Sequence, residues 1–342
     1  MPNNSMKILF LMTLISGVLI SLCANSWMGA WMGLEINLLS FIPLLSSNMN
    51  MFSTEASLKY FLIQAVASAT LLFMILLKIN THEMFFFIKN MDWNNLISIP
   101  LLMKIACAPL HWWLPSVMEG LSWMNCFIIL SIQKIAPLML ISYVLTSSFF
   151  THLMITFSAI TGAIGGFNQI SLRKILSFSS INHISWMLTT MTMGLNLWLM
   201  YFSIYMINII VIIVLTATTN LSFISQTFNT LNNKKFIKFM LFISMLSLGG
   251  LPPFLGFFPK WITIQFMIQN FMTLTAIILI MSSLLTLYYY MRMMFTTLTI
   301  TNMENIWITM NHYKYNHSKI IMFSLSMLLS GMLVCTLALL IY

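Results

Sequence analysis

The chain has 342 residues, of which 60% are hydrophobic and 6% charged, and its net charge is +9. A soluble domain carries about 25% charged residues; a chain this apolar needs lipid as part of its solvent, which excludes an ordinary soluble enzyme or binding module. A positive balance in a soluble protein points to nucleic acid, but here the basic residues lie mostly between apolar runs, where membrane topology accounts for them.

About eleven stretches lie near the roughly 20 residues that a helix needs to cross hydrocarbon. They predict spans at about 8–24, 27–47, 58–78, 94–115, 122–145, 149–168, 172–192, 196–222, 238–268, 272–295 and 319–341. Ser21-Leu22-Cys23-Ala24 passes loosely for a cleavage site, yet the next apolar run begins at once, so the first span is read as a retained helix. The second span holds Glu35, within Met32-Gly33-Leu34-Glu35-Ile36-Asn37-Leu38. In the fourth, Lys104 precedes Pro109, His111 and Pro115. Glu119 follows, in an expected loop. The fifth span carries Lys134 and Pro137. Asn168, Gln169, Ser177, Ser179, Ser180, Asn182 and His183 form a polar cluster at the sixth and seventh. The ninth is too long for one span; Pro252 and Pro253 break it ahead of Lys260. Loops 79–93, 223–237 and 296–318 are short and polar, and His82, His152, His312 and His317 read as loop or interface residues.

Alternating the spans gives an orientation. Arg173, Lys174, Lys234, Lys235, Arg292, Lys314 and Lys319 fall on the side of the N-terminus, and Lys7, Lys59 and Lys238 border it. The opposite side receives Lys78 and Lys89. By the positive-inside rule the N-terminus faces the matrix or cytoplasm, and an odd span count puts the C-terminus on the other face. The cysteines, Cys23, Cys107, Cys126 and Cys335, have no metal or redox spacing and read as small buried hydrophobes. The chain shows no Gly-rich phosphate loop and no Cys/His cluster, so no nucleotide, flavin, metal or iron–sulfur site is expected in it.

The chemistry is expected at the charges that lie inside spans. An ionisable group at mid-bilayer costs about 2.5–3.5 kcal/mol even on lenient scales. Glu35, Lys104, Lys134 and Lys260 together are a large penalty unless they function. Snorkelling or a structural ion pair is the other reading for any one of them. Proline supplies a second signal. Pro109 cannot donate to the carbonyl of Ile105, nor Pro137 to that of Gln133. Freed backbone at membrane depth is tolerated where protein buries it or a wet cavity meets it. Breaks in the fourth and ninth spans suggest two inverted five-helix repeats plus a final helix, with halves at about 8–145 and 149–295. His183 is the best internal proton relay, because imidazole titrates near neutral pH; His111 is a second. A structural hydrogen bond is the alternative for each.

The runs Lys104 to Pro115, Gln133 to Pro137, Asn168 to Trp186 and Gly249 to Trp261 resemble the antiporter-like subunits of respiratory complex I, over nearly the whole chain. The opening Trp27 to Asn37 resembles the shortened animal mitochondrial form. The resemblance implies an all-α polytopic protein without its own cofactor. It would translocate protons within the membrane arm of an NADH:ubiquinone oxidoreductase of the mitochondrial inner membrane, with the N-terminus on the matrix side. NADH, FMN, iron–sulfur clusters and ubiquinone would belong to other subunits. Glu35 and Lys104 would form an acid–base pair, Lys134 a central relay and Lys260 the terminal lysine. A pair about 4 Å apart at an effective dielectric near 20 attracts by about 4 kcal/mol, enough to switch a lysine between holding and releasing a proton. The alternatives are a stand-alone cation/proton antiporter or antiporter subunit, and a structural membrane subunit.

Overall fold

In the computed structural model, residues 4–46, 50–84, 93–230 and 235–299 are described, side chains at some element ends excepted. The expected final span 319–341, the loop 296–318 with Glu304, His312, Lys314 and His317, and Lys89, Asp92 and Lys234 lie outside them, as does Cys335. The described chain is helical. One isolated bridge, Ser171 to Phe223, is its only strand-like pairing among the described residues.

The helices are α1 (Asn4–Cys23), α2 (Trp27–Leu45), α3 (Met51–Met84), α4 (Trp93–Ile105), α5 (Trp113–Gly120), α6 (Trp123–Leu130), α7 (Ile132–Ser142), α8 (Phe149–Gly165), α9 (Leu172–Met193), α10 (Leu195–Thr219), α11 (Ile224–Thr230), α12 (Lys235–Gly249), α13 (Phe257–Gln269) and α14 (Thr273–Thr299). Among the described residues, six stretches are long and apolar enough to cross a membrane: Ser5–Cys23, Trp27–Leu45, Met51–Asn80, Trp123–Ser142, Leu195–Thr219 and Thr273–Phe295. The expected fourth and ninth spans are pairs of half-helices, α4 with α5 and α12 with α13.

Several expectations need correction. The fifth span, expected to be continuous, is interrupted at Ser131, and Pro137 sits inside α7. The expected loop 223–237 contains the short helix α11. Glu119 lies in the last turn of α5, not in a loop. His152 is on α8. Cys23, at the end of α1, is exposed, whereas Cys107 and Cys126 are buried.

The chain divides into two compact units, Met1–Ser158 and Ala159–Tyr342. In the first, α1 lies against α2, and α7 packs on α1, α2 and α4. The α1–α2 approach depends on missing side chains. A Cβ on Gly33 would stand 2.6 Å from the backbone nitrogen of Ser21. α3 backs both half-helices of the broken pair. In the second unit α9 is enclosed by α10, α13 and α14 and is buried on nearly every side. It is nonetheless rich in hydroxyls. Those of Ser177, Ser179, Ser180, Ser185, Thr189 and Thr190 each donate to the carbonyl one turn back, which satisfies them within the helix.

Gly33→Val places a branched side chain against fixed backbone. Overpacking of this kind costs about 1–3 kcal/mol. The midpoint of thermal unfolding in mild detergent should fall; an unchanged midpoint would contradict the close α1–α2 contact.

Candidate functional site

In the first unit, α4 ends inside the protein. Ala106 adopts a left-handed backbone with φ 66°. Its N–H donates to the Met103 carbonyl at 3.2 Å, and the Cys107 N–H reaches back to Leu102 at 3.0 Å. This pair of bonds is a Schellman cap. The helix leaves before Pro109 because the residue preceding a proline disfavours helical backbone. Lys104 stands in the last turn, 7% exposed, and its carbonyl has lost its helical donor. Gln64 of α3, itself buried, donates its amide to that carbonyl at 3.3 Å. Across the break, the Trp113 indole N–H donates to the Met103 carbonyl at 3.1 Å.

Lys134 is 2% exposed on α7. Its neighbour Gln133 donates to Asn37 Oδ1 at 2.9 Å and accepts from the Tyr60 hydroxyl at 3.3 Å. Lys104, Lys134, Asn37, Tyr60, Gln64 and Gln133 share one cavity of about 20 Å³, enough for about one water molecule. Glu35 is different. Its charge reaches Lys104, but the two form no direct ion pair. Residues two apart on a helix face away from each other, so with Asn37 turned inward Glu35 is left half-exposed. The expected 4 Å pair is therefore not formed. His111 lies in the break, donates from Nδ1 to the Pro109 carbonyl at 3.2 Å and stacks on Trp112. It does not line the cavity.

In the second unit, α12 ends in the same Schellman geometry. Gly250 has φ 82°. Its N–H donates to Ser247 at 3.1 Å, and the Leu251 N–H to Leu246 at 3.4 Å. Pro252 and Pro253 follow, so the carbonyls one turn back, of Leu248 and Gly249, can receive no helical N–H. Lys260 Nζ donates to both, at 3.2 and 2.9 Å. Its ammonium also stands 5.9 Å from the centre of the Trp186 ring, within cation–π range. Buried Lys260 thus sits at the negative end of the α12 dipole, which favours a cation.

His183 and Asn182 are buried on α9. His183 Nδ1 is 2.9 Å from the Tyr201 hydroxyl, and its ring packs on Tyr205. Asn182 Oδ1 accepts from Ser282 at 3.2 Å. Asn168 is exposed in the turn before α9 and Gln169 is half-buried, so the expected polar cluster is confined to Ser177–His183.

Sequence reasoning missed Tyr60 and Gln64 as partners of the lysine site. Their four-residue spacing puts two polar groups on one face of an apolar span, which was the available signal. Gln133→Leu leaves Asn37 without its donor and the Tyr60 hydroxyl without its acceptor. Loss of buried partners costs about 1–3 kcal/mol each. Thermal unfolding should shift clearly downward, and an unaltered midpoint would show that the Asn37–Gln133–Tyr60 chain is not formed.

Residues 24–286 match the family described as NADH:quinone oxidoreductase/Mrp antiporter, TM. The chain is 47% identical over 342 residues to NADH-ubiquinone oxidoreductase chain 2 of Aedes aegypti, with 100% of both chains covered. It is 45% identical over 336 residues to the chain of that name from Locusta migratoria, across 98% of this chain and 97% of that one. Its fold is similar to a chain of respiratory complex I from Thermus thermophilus with bound aureothin. There the TM-score is 0.79 at 18% identity, covering 97% of this chain and 79% of that chain. With its broken helices and buried lysines, this polytopic chain belongs to the NADH:quinone oxidoreductase/Mrp antiporter transmembrane family, among the NADH-ubiquinone oxidoreductase chain 2 proteins.

Proposed function

We propose that the chain translocates protons as a membrane-arm subunit of NADH:ubiquinone oxidoreductase in the mitochondrial inner membrane. The observation that carries this reading is the placing of buried lysines at helix breaks. Lys104 ends the first half-helix of one unit, and Lys260 caps the freed carbonyls of the other. A buried cation without a task is an unrecovered cost in a marginally stable fold. The full-length relatives supply the setting, since each is named as a chain of that oxidoreductase.

In the first unit, Lys104 and Lys134 share a cavity with room for water. A proton on one ammonium can pass through a water to the neutral amine of the other. Gln64 holds the Lys104 carbonyl and Gln133 holds Asn37, both at the lining of the same cavity. Glu35 acts on Lys104 as a nearby charge that is not in contact with it. In the second unit, His183 and Tyr201 form a hydrogen-bonded donor–acceptor pair that serves as an internal relay, and Lys260 is the terminal carrier. His111 is held by Pro109 and is the weaker relay. The reading includes two half-repeats, about 8–145 and 149–295, and a final helix at about 319–341. It also includes a matrix-facing N-terminus with the C-terminus on the intermembrane-space side. Electron transfer from NADH to ubiquinone, with FMN and iron–sulfur clusters, takes place in other subunits and supplies the driving energy.

Lys104→Met, Lys134→Met and Lys260→Met should each leave an assembled complex and lower the protons moved per NADH oxidised, measured in inner-membrane vesicles. Glu35→Gln should give a smaller loss, as expected of a charge that is not in contact. Full stoichiometry in all three lysine variants would refute the role.

A further inference from the structure

We infer that Gly250 is a positioning residue for Lys260: its missing side chain is what lets the ammonium reach the two carbonyls at the end of α12. The inference rests on the reading of Lys260 as a proton carrier. Two separate features of the backbone meet at this glycine. The first is its left-handed φ of 82°, which makes the Schellman cap and exposes the Leu248 and Gly249 carbonyls. The second is crowding. A Cβ on Gly250 would stand 2.9 Å from Lys260 Cδ and 3.1 Å from Nζ.

The first break of the same chain separates these two features. There the equivalent cap residue is Ala106, with φ 66° and the same pair of returning hydrogen bonds. Pro109 and Pro115 follow Ala106 at the same spacings as Pro253 and Pro259 follow Gly250. The turn can therefore be built with alanine in this chain. What differs is the occupant. In the first break the freed Lys104 carbonyl is met by the Gln64 amide, brought in from α3. In the second, the freed carbonyls are met by Lys260 from the half-helix just beyond the break. Glycine is needed in the second because the lysine side chain runs over the cap residue.

The atoms nearest a Cβ at Gly250 are the far end of a flexible side chain, not backbone. Gly250→Ala therefore displaces the ammonium rather than the helix. The carbonyls lose their donor and the ammonium its fixed place. A residue acting only on folding would change the amount of complex, not the proton yield of the complex that assembles.

The test uses vesicles of the inner membrane carrying the whole complex. Protons moved per NADH oxidised, and the amount of assembled complex, are measured for Gly250→Ala, Lys260→Ala, the double variant and Gly194→Ala. Gly194 is a control, since a Cβ there meets nothing within 4 Å. The inference expects Gly250→Ala to assemble and to lower the proton ratio to the level of Lys260→Ala. It expects no further loss in the double variant, because both changes remove the same contact. A normal ratio in Gly250→Ala, alongside a lowered ratio in Lys260→Ala, overturns the inference and leaves the wider reading standing. Losses that add in the double variant, or an assembly defect of Gly250→Ala that persists in the Lys260→Ala background, also overturn it. A normal ratio in Lys260→Ala removes the proton-carrying reading and the inference with it.

Discussion

A backbone carbonyl that leaves a helix at membrane depth must find a donor inside the protein, because lipid offers none. This requirement shapes both units. Each contains a helix that stops short of a full span and exits through a left-handed residue, Ala106 in one and Gly250 in the other. A Schellman cap satisfies the earlier carbonyls of the last turn and leaves the final ones open. The donors that close them differ. The first unit uses the neutral amide of Gln64, which donates to the Lys104 carbonyl. The second uses the ammonium of Lys260. Satisfying the backbone and holding the buried lysine are one and the same contact in the second unit, and two separate contacts in the first.

The surroundings follow from that difference. With Gln64 at the carbonyl, the Lys104 side chain is left to line the cavity with Lys134. The uncharged groups Asn37, Tyr60 and Gln133 add polar surface there without adding charge. In the second unit Lys260 is already bound by its carbonyls and by the face of Trp186, so the polar residues of α9 need not reach it. They bond to their own helix and to Tyr201 of α10 and Ser282 of α14 instead, which lets α9 be buried nearly all round despite its many polar groups. Half-helices whose C-terminal ends meet a cation are a recurring feature of membrane transporters.

Much of this was legible in the sequence, for physical reasons that can be stated. Apolar runs of membrane length marked α1, α2, α10 and α14, because spanning hydrocarbon leaves little freedom in composition. Pro252 and Pro253 marked the second break, since neither can donate in a helix. Glu35, Lys104, Lys134 and Lys260 stood out because charge is rare in such runs. What was not legible depends on partners distant in the chain or on backbone geometry that no residue type announces. Nothing about Ala106 signals a left-handed φ, and nothing about Gln64 signals the carbonyl it meets 40 residues later. The interruption at Ser131 was missed because no proline or glycine stands beside it to mark it. Glu35 and Lys104 were paired by type, whereas helical geometry turns Asn37 inward and leaves Glu35 half-exposed.

The most direct test of the account is native purification of the complex that contains this chain, followed by assay of NADH oxidation with ubiquinone and of proton uptake into vesicles made from it. The account predicts that the chain travels with an inhibitor-sensitive activity in which proton uptake is coupled to NADH oxidation. A chain that purifies without redox partners, and exchanges cations for protons on its own, would contradict it.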